Sequence, residues 1–272
     1  MTVTPVVADL RTVLTEGELT VIGQIAHASN ATLVCDARYG GTVVRCVYKP
    51  VRGERPLWDF PDGTLAGREV ASYLICEALG WGVIPLTVFR DGPFGPGMVQ
   101  RWIDTRDPSD GPADRLDVVD LYPAGDVPEG WLPILRARDL DGDDVLLVHA
   151  DDPRLHRMAV LDLVLNNADR KGGHALEGVD GNVYGIDHGI CLHRDDKLRT
   201  VLWGWAGDPI DPALLTDLDK LARRLEGEFA EVLREYITAD EVEALRRRIE
   251  TLLEHPVMPR PLGERRIPWP AF

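Results

Sequence analysis

The chain reads as an α+β fold of two unlike lobes, the first built on strands and the second on helices. Three observations predict this. Apolar runs with β-branched residues and turn pairs fill the first hundred residues, interrupted by one helical pattern. A stretch rich in Asp, Pro and Gly follows from Asp104 to Asp144. Beyond it, four segments carry apolar residues at helical spacing. With 272 residues and 44% hydrophobic content, the chain can bury a core of the size two lobes need.

The elements follow in order. Leu19 to His27 and Ala31 to Ala37 are predicted strands, joined across the turn pair Ser29-Asn30. Gly40-Gly41 breaks the chain before Val43 to Tyr48, a β-branched strand ending in Lys49-Pro50. Gly67 to Leu79 is the first helix: Val70, Leu74 and Leu79, with Ala71 and Ile75, form an apolar stripe, and Gly80 stops it. Val83 to Phe89 and Met98 to Ile103 are two further strands around the Gly/Pro turn Asp91 to Gly97. The Asp104 to Asp144 stretch reads as connector and surface insert, apolar only at Leu132 to Leu135. Its Asp139, Asp141, Asp143 and Asp144 have the composition of a calcium loop. The glycine stands at Gly142 and the closing Glu is missing, so a solvated acidic loop is expected. Asp152 to Asn166 is a helix capped by Asp151 or Asp152, and Pro212 to Leu225, Gly227 to Ile237 and Ala239 to Leu253 are three more. Pro256 to Phe272, rich in Pro and Arg, reads as an extended strap.

Charge narrows the partners. Acidic residues outnumber basic ones 45 to 30, giving −15, and such a surface repels phosphate backbones and anionic lipid. No nucleic-acid partner is expected. Cys35, Cys46, Cys76 and Cys191 form no C-x-x-C pair, which gives neither a zinc site nor a disulfide framework. Met1 to Glu18 mixes charges among apolar residues, unlike a secretory signal, and no apolar run reaches membrane-span length. The expectation is a cytoplasmic protein with no stable membrane insertion.

Two acidic motifs carry the functional signal: Asn167-Ala168-Asp169-Arg170-Lys171-Gly172-Gly173-His174 and Tyr184-Gly185-Ile186-Asp187-His188-Gly189. Kinase-like folds hold a nucleotide's metal ions with a polar loop opened by Asp and, some way on, an apolar strand ending in Asp-x-Gly. The loop Asp meets the acceptor hydroxyl; the second Asp holds Mg²⁺ against the phosphates. A triphosphate also needs a cation, and Lys49 ends an apolar strand, with Glu69 on the following helix as its candidate partner. The plainer alternative has Lys49 in solvent and Glu69 compensating a helix N-terminus. No G-x-G-x-x-G and no Walker lysine occur, which excludes a P-loop enzyme. Ser29 and Ser72 lack a G-x-S-x-G context, so a serine hydrolase has no footing. Cys191 reads as a small core residue, His149 and His156 as unrelated residues, and Trp203 and Trp205 as aromatic packing.

Val47-Tyr48-Lys49-Pro50, Gly67-Arg68-Glu69-Val70-Ala71, Asn167-Ala168-Asp169-Arg170 and Ile186-Asp187-His188-Gly189 stand in one order across Val21 to Leu192. Together they resemble the phosphatidylinositol 3-/4-kinase superfamily, the atypical branch that includes the HipA-type kinases, and within it small actinobacterial kinase-like proteins. The resemblance implies a single two-lobed, protein-kinase-like domain. Its N-lobe would cover residues 1–98, a hinge 99–104, a connector or insert 105–150 and a helical C-lobe 151–272. It implies ATP with Mg²⁺ or Mn²⁺ as cofactors. Asp169, beside Arg170, would position or deprotonate the acceptor; Lys49, held by Glu69, would bind the α/β phosphates; Asp187 would ligate the metal. Ser29 and Asn30 would turn over the phosphates, and Met98, Val99, Gln100 and Arg101 would face adenine.

One departure stands out. His174 occupies the position where the superfamily carries Asn as second metal ligand, and imidazole suits Mn²⁺ or zinc better than Mg²⁺. It would ligate a metal with a preference for Mn²⁺, contact a phosphate or act as acid/base, or mark loss of the second metal site. The implied function is an ATP-dependent phosphotransferase acting on a soluble hydroxyl acceptor, inositol- or polyol-like, or on a protein. Arg194, Lys197 and Arg199 would be the cations that receive an anionic acceptor. The alternatives are a nucleotide-binding regulatory pseudokinase and an adenylyl transferase on the same fold.

Overall fold

In the computed structural model the described residues are 8–26, 30–105, 117–125, 127–138, 141–261 and 265–272. A short helix, α1 (Leu10–Glu16), precedes strands β1 (Glu18–Gln24), β2 (Leu33–Tyr39) and β3 (Thr42–Pro50). Helix α2 (Leu65–Leu79) and strands β4 (Thr87–Gly92) and β5 (Gly95–Arg101) complete the first lobe. The five strands form one antiparallel sheet in the order β1-β2-β3-β5-β4.

Strand alternation decides which face each residue serves. Leu33, Cys35, Ala37, Cys46, Tyr48 and Val99 pack with Val13 and Leu14 of α1 on one side of the sheet. Their neighbours turn the other way. Met98 meets Ala66 and Val70 of α2, and Lys49, paired with Met98 in register, also lies on the α2 side. Helix α2 is capped by Thr64, which accepts from the Gly67 N–H, and ends at Gly80, whose φ of 70° suits glycine.

The β4–β5 hairpin is tighter than the sequence predicts. Gly92 pairs with Gly95, so most of the predicted Gly/Pro turn is strand. The Tyr48 ring explains the glycines, since a Cβ on Gly92 or Gly97 would lie under 3 Å from it. Helix α1 is not legible in the sequence; about two turns carry too little periodicity to register.

The Asp104 to Asp144 reading needs correction. Instead of a loop-like insert, the chain forms a second antiparallel sheet of β6 (Val119–Pro123), β7 (Trp131–Arg138) and β8 (Asp144–Ala150), in the order β6-β8-β7. Val118, Val119 and Leu147 bury into the main core. A register shift at Pro133/Leu135 breaks the alternation of β7, which hides the strand from a period-two reading. Asp139 of the calcium-like group lies outside the described residues, and Asp144 is engaged by Arg136 and Arg138. Among the described residues no cluster of three or more His, Cys, Asp or Glu could hold a metal ion.

The second lobe holds α3 (Pro153–Leu165), the short hairpin β9 (Ala175–Glu177) and β10 (Val183–Gly185), and helices α4 (Pro212–Arg224), α5 (Glu228–Arg234) and α6 (Ala239–Glu254). Asp152 caps α3, and Asn166 ends it in the left-handed conformation, φ 52°. That exit delivers the 167–174 loop to the cleft. The terminal segment runs as the expected strap: Val257 bridges Pro209, Thr200 N–H donates to the Arg266 carbonyl, and Gly172 N–H donates to the Ala271 carbonyl.

Of the aromatic pair, Trp205 packs into the core as expected, whereas Trp203 is only partly buried and donates its indole N–H to the Arg266 carbonyl. Trp205 lies against the rings of His149 and His156 and donates to Asp151. His149 is fully buried, its Nδ1 on the Ala150 carbonyl and its Nε2 accepting the Gly204 N–H. Burial pushes its pKa down to about 4. The unfolded chain therefore binds this proton first, and His149 contributes stability above pH 6.5 that is lost as pH falls toward 4. The expected loss is up to about 3 kcal/mol at roughly 1.4 kcal/mol per pKa unit. Melting curves at pH 7.5 and 5.0 should show His149→Gln less stable than the parent at the higher pH and flatter between the two.

Candidate active site

Three charged groups that are far apart in sequence meet at one point. Lys49 Nζ, on the α2 side of β3, lies 2.7 Å from Glu69 Oε1 and 2.6 Å from Asp187 Oδ1. The solvent-pointing alternative for Lys49 is thereby excluded. Burial works against the lysine's charge, but Asp187 and Glu69 together hold its pKa above the ordinary value. Lys49 in turn holds the Asp187 carboxyl well below the usual carboxylate range. Glu69 is the group burial pushes up, to about 7. Asp187 sits in the left-handed region at φ 59°, a conformation Asp tolerates better than most residues.

The 167–174 loop forms the facing wall. Asp169 and Lys171 both line the cleft with Lys49, Glu69 and Asp187, and Lys171 Nζ lies 3.4 Å from Asp169 Oδ2. Burial raises the Asp169 pKa, with Lys171 opposing it. Asn167 Oδ1 accepts the Asp169 N–H at 2.9 Å and so sets the loop's turn. Gly172 leaves room for Phe272, whose ring lies where a Cβ would stand.

His174 Nδ1 lies 2.9 Å from the Asp169 carbonyl oxygen, which only an N–H can satisfy. Nδ1 therefore carries the proton, and Nε2 turns its lone pair to Asp187 Oδ2 at 3.5 Å. Burial keeps this imidazole neutral by pushing its pKa down to about 4. Two lone-pair donors facing each other at that distance repel unless a cation joins them. The wider cleft has the same bias, with Glu54, Glu69, Asp169 and Asp187 against Lys49 and Lys171. The donor set fits a divalent ion held by one carboxylate and one imidazole, with phosphate oxygens and water completing the shell.

Other predicted residues fall elsewhere. Arg170 is fully buried and does not reach the cleft; it pairs with Asp162 and donates to the His174 and Ile186 carbonyls, so it holds the loop in place. Asn30 lines the cleft and accepts the Arg55 N–H at 2.8 Å, while Ser29 lies outside the described residues. The adenine-facing assignment of Met98, Val99, Gln100 and Arg101 is corrected: they lie within β5, between β3 and β4, with their backbone committed to both neighbours. The backbone is engaged through Trp102, whose N–H meets the Arg45 carbonyl, so the crossover begins at Ile103. Lys197 is not an open acceptor-side cation either, being paired with Asp59 and seated over Phe60. The sequence reading missed two charged cleft residues. Glu54 caps α2 by accepting the Leu65 and Ala66 N–H groups, and Lys171 follows the loop Asp by two positions, a spacing that was the available signal.

Comparison with known proteins then places the chain. It is 57% identical over 270 residues to protein Rv2133c of Mycobacterium tuberculosis, covering 97% of this chain and 96% of that one. The chain belongs to the Rv2133c family. No protein-family model matches it. Among solved structures, this Rv2133c-family chain is matched by a Helicobacter pylori proinflammatory kinase, CtkA, with a TM-score of 0.44 and 12% identity, over 90% of this chain and 94% of that one. Among the described residues no helix is long and apolar enough to cross a membrane.

Proposed function

We propose that the chain is an ATP-dependent phosphotransferase of the phosphatidylinositol 3-/4-kinase-like type, acting on a hydroxyl of a soluble inositol- or polyol-like acceptor or of a protein. The observation that carries the reading is the placement of one lysine within hydrogen-bond reach of both Glu69 and Asp187, in a cleft shared with Asp169. Lys49 binds the α/β phosphates, and Glu69 fixes its direction. A divalent ion on Asp187 and His174 would neutralise charge on the phosphate oxygens. The imidazole donor favours Mn²⁺ over Mg²⁺.

Asp169 accepts the acceptor's hydroxyl proton as that oxygen bonds to the γ-phosphorus and the bond to the ADP oxygen breaks. Its burial-raised pKa makes it a better base than an exposed carboxylate. Lys171 stands beside it, where it meets charge on the transferring group.

The test is incubation with ATP and Mg²⁺ or Mn²⁺ over a panel of inositols, polyols and protein acceptors, scored by mass. A phosphate added by the parent, with Asp169→Asn retaining nucleotide affinity and losing about 10²- to 10⁴-fold in turnover, is expected. An adenylate on the acceptor would assign adenylyl transfer instead. Nucleotide binding with no turnover on any acceptor would assign a regulatory pseudokinase, and no binding at all would sink the reading.

A further inference from the structure

We propose that Arg68 is a positioning residue that fastens helix α2 to the segment following Asp187, and so holds Glu69 and Asp187 together on Lys49. The inference rests on the phosphotransferase reading and concerns how its site stays assembled.

Arg68 and Glu69 are consecutive on α2, so they leave the helix about 100° apart. Glu69 faces the cleft. Arg68 is 1% exposed, and its guanidinium reaches three acceptors that lie in different parts of the chain. Nη1 donates to the Cys191 carbonyl at 2.9 Å, four residues past Asp187. Nη2 donates to the Asp62 carbonyl at 2.9 Å and to Glu241 Oε1 at 2.6 Å. The remaining face of the guanidinium covers the Phe60 ring at 5.1 Å.

Two of these partners are themselves held in place. Glu241 spends its other oxygen on the Thr238 N–H in the capping box of α6. Phe60 is also contacted by Lys197 and, in a T-shaped arrangement, by the His193 ring. Gly189 lies close against α2, where a Cβ would stand 3.3 Å from the Leu65 Cβ and 3.6 Å from Glu69 Oε1. One side chain therefore ties α2 to the second lobe from a face about 100° round the helix from Glu69. A helix free to rotate or lift would carry Glu69 off Lys49; the Arg68 contacts oppose both motions. Lysine could keep the Glu241 charge but could not span three separate acceptors with one ammonium.

The experiment uses Arg68→Lys and the double variant Arg68→Met/Glu241→Leu. The double replaces the buried ion pair by apolar groups, a change that commonly preserves stability. ATP titration with Mn²⁺, melting temperature and hydrogen exchange of α2 and α3 are read on each. Both variants are expected to bind ATP at least tenfold more weakly. Amides of residues 65–79 should exchange faster while those of 153–165 in α3 keep their protection. Parent-like affinity and α2 protection in both variants would overturn the proposal. So would a loss of protection shared equally by α2 and α3, because that reports general unfolding. If the parent itself fails to bind ATP, the phosphotransferase reading falls, and the α2-against-α3 exchange contrast still decides the role of Arg68.

Discussion

Asp187→Asn is expected to weaken metal-dependent ATP binding by about 100-fold or more and to lower the melting temperature at neutral pH without unfolding the protein. The size follows from the role assigned to the carboxylate, since even the outer-shell partners of metal ligands typically cost 10- to 100-fold when lost. Asparagine keeps the side chain's shape and tolerates the left-handed backbone at φ 59°, so the change isolates charge from conformation. Some stability is lost with the Lys49–Asp187 pair, because the depressed carboxyl pKa is itself a gain on folding, and Lys49 retains Glu69 at 2.7 Å. The pH behaviour follows from the same pair. Lys49 holds the Asp187 pKa well below its ordinary 3.8, so the carboxylate stays charged as pH falls through the usual carboxylate range. Its share of metal binding should therefore be flat between pH 5 and 8. Calorimetric titration of parent and variant, with and without Mn²⁺, reads the effect directly. Equal metal-dependent affinity in the two proteins would move the metal away from Asp187.

Arg170→Met is expected to cost about 3–5 kcal/mol of stability, the usual penalty for stripping one partner from a buried ion pair. For a chain of this size that is roughly 5–10 °C in melting temperature. Arg170 and Asp162 are both 0% exposed, and the guanidinium contacts the carboxylate through Nε and Nη2. Asp162 also accepts from Asn167 Nδ2 and Thr200 Oγ1, and Arg170 Nη2 meets His188 Nε2 at 2.7 Å. The His174 and Ile186 carbonyls, one from each acidic motif, share Nη1. Removing the guanidinium leaves a buried carboxylate and two carbonyls short of donors and loosens both motifs at once. Asp162→Leu combined with Arg170→Met should recover part of the loss in a denaturant titration, because no buried charge is then left alone. A single Arg170→Met variant as stable as the parent would contradict the network.

How legible all this was in the sequence differed by element. Helices α2, α3, α4 and α6 were readable because each carries an apolar repeat of helical period with recognisable caps. Strands β1 to β3 were readable from alternation and glycine breaks. The β6-β8-β7 sheet was not, since its turns are rich in Asp, Pro and Gly and a bulge interrupts β7. The supposed hinge at Met98 to Arg101 was misplaced for a related reason: an apolar run does not say where its backbone hydrogen bonds go.

The site divides along the same line. Local pattern was enough to give the residue types and their order: a strand-end lysine, a helix glutamate, a loop aspartate and a strand-end aspartate. Order sufficed there because each residue's element was locally encoded. Long-range packing set the rest: Lys49 spans 138 positions to Asp187, Arg68 reaches 173 positions to Glu241, and Arg170 turns inward to Asp162 instead of toward the cleft. A charge's partner depends on which faces pack together and how far burial removes it from water, and neither is written in local spacing.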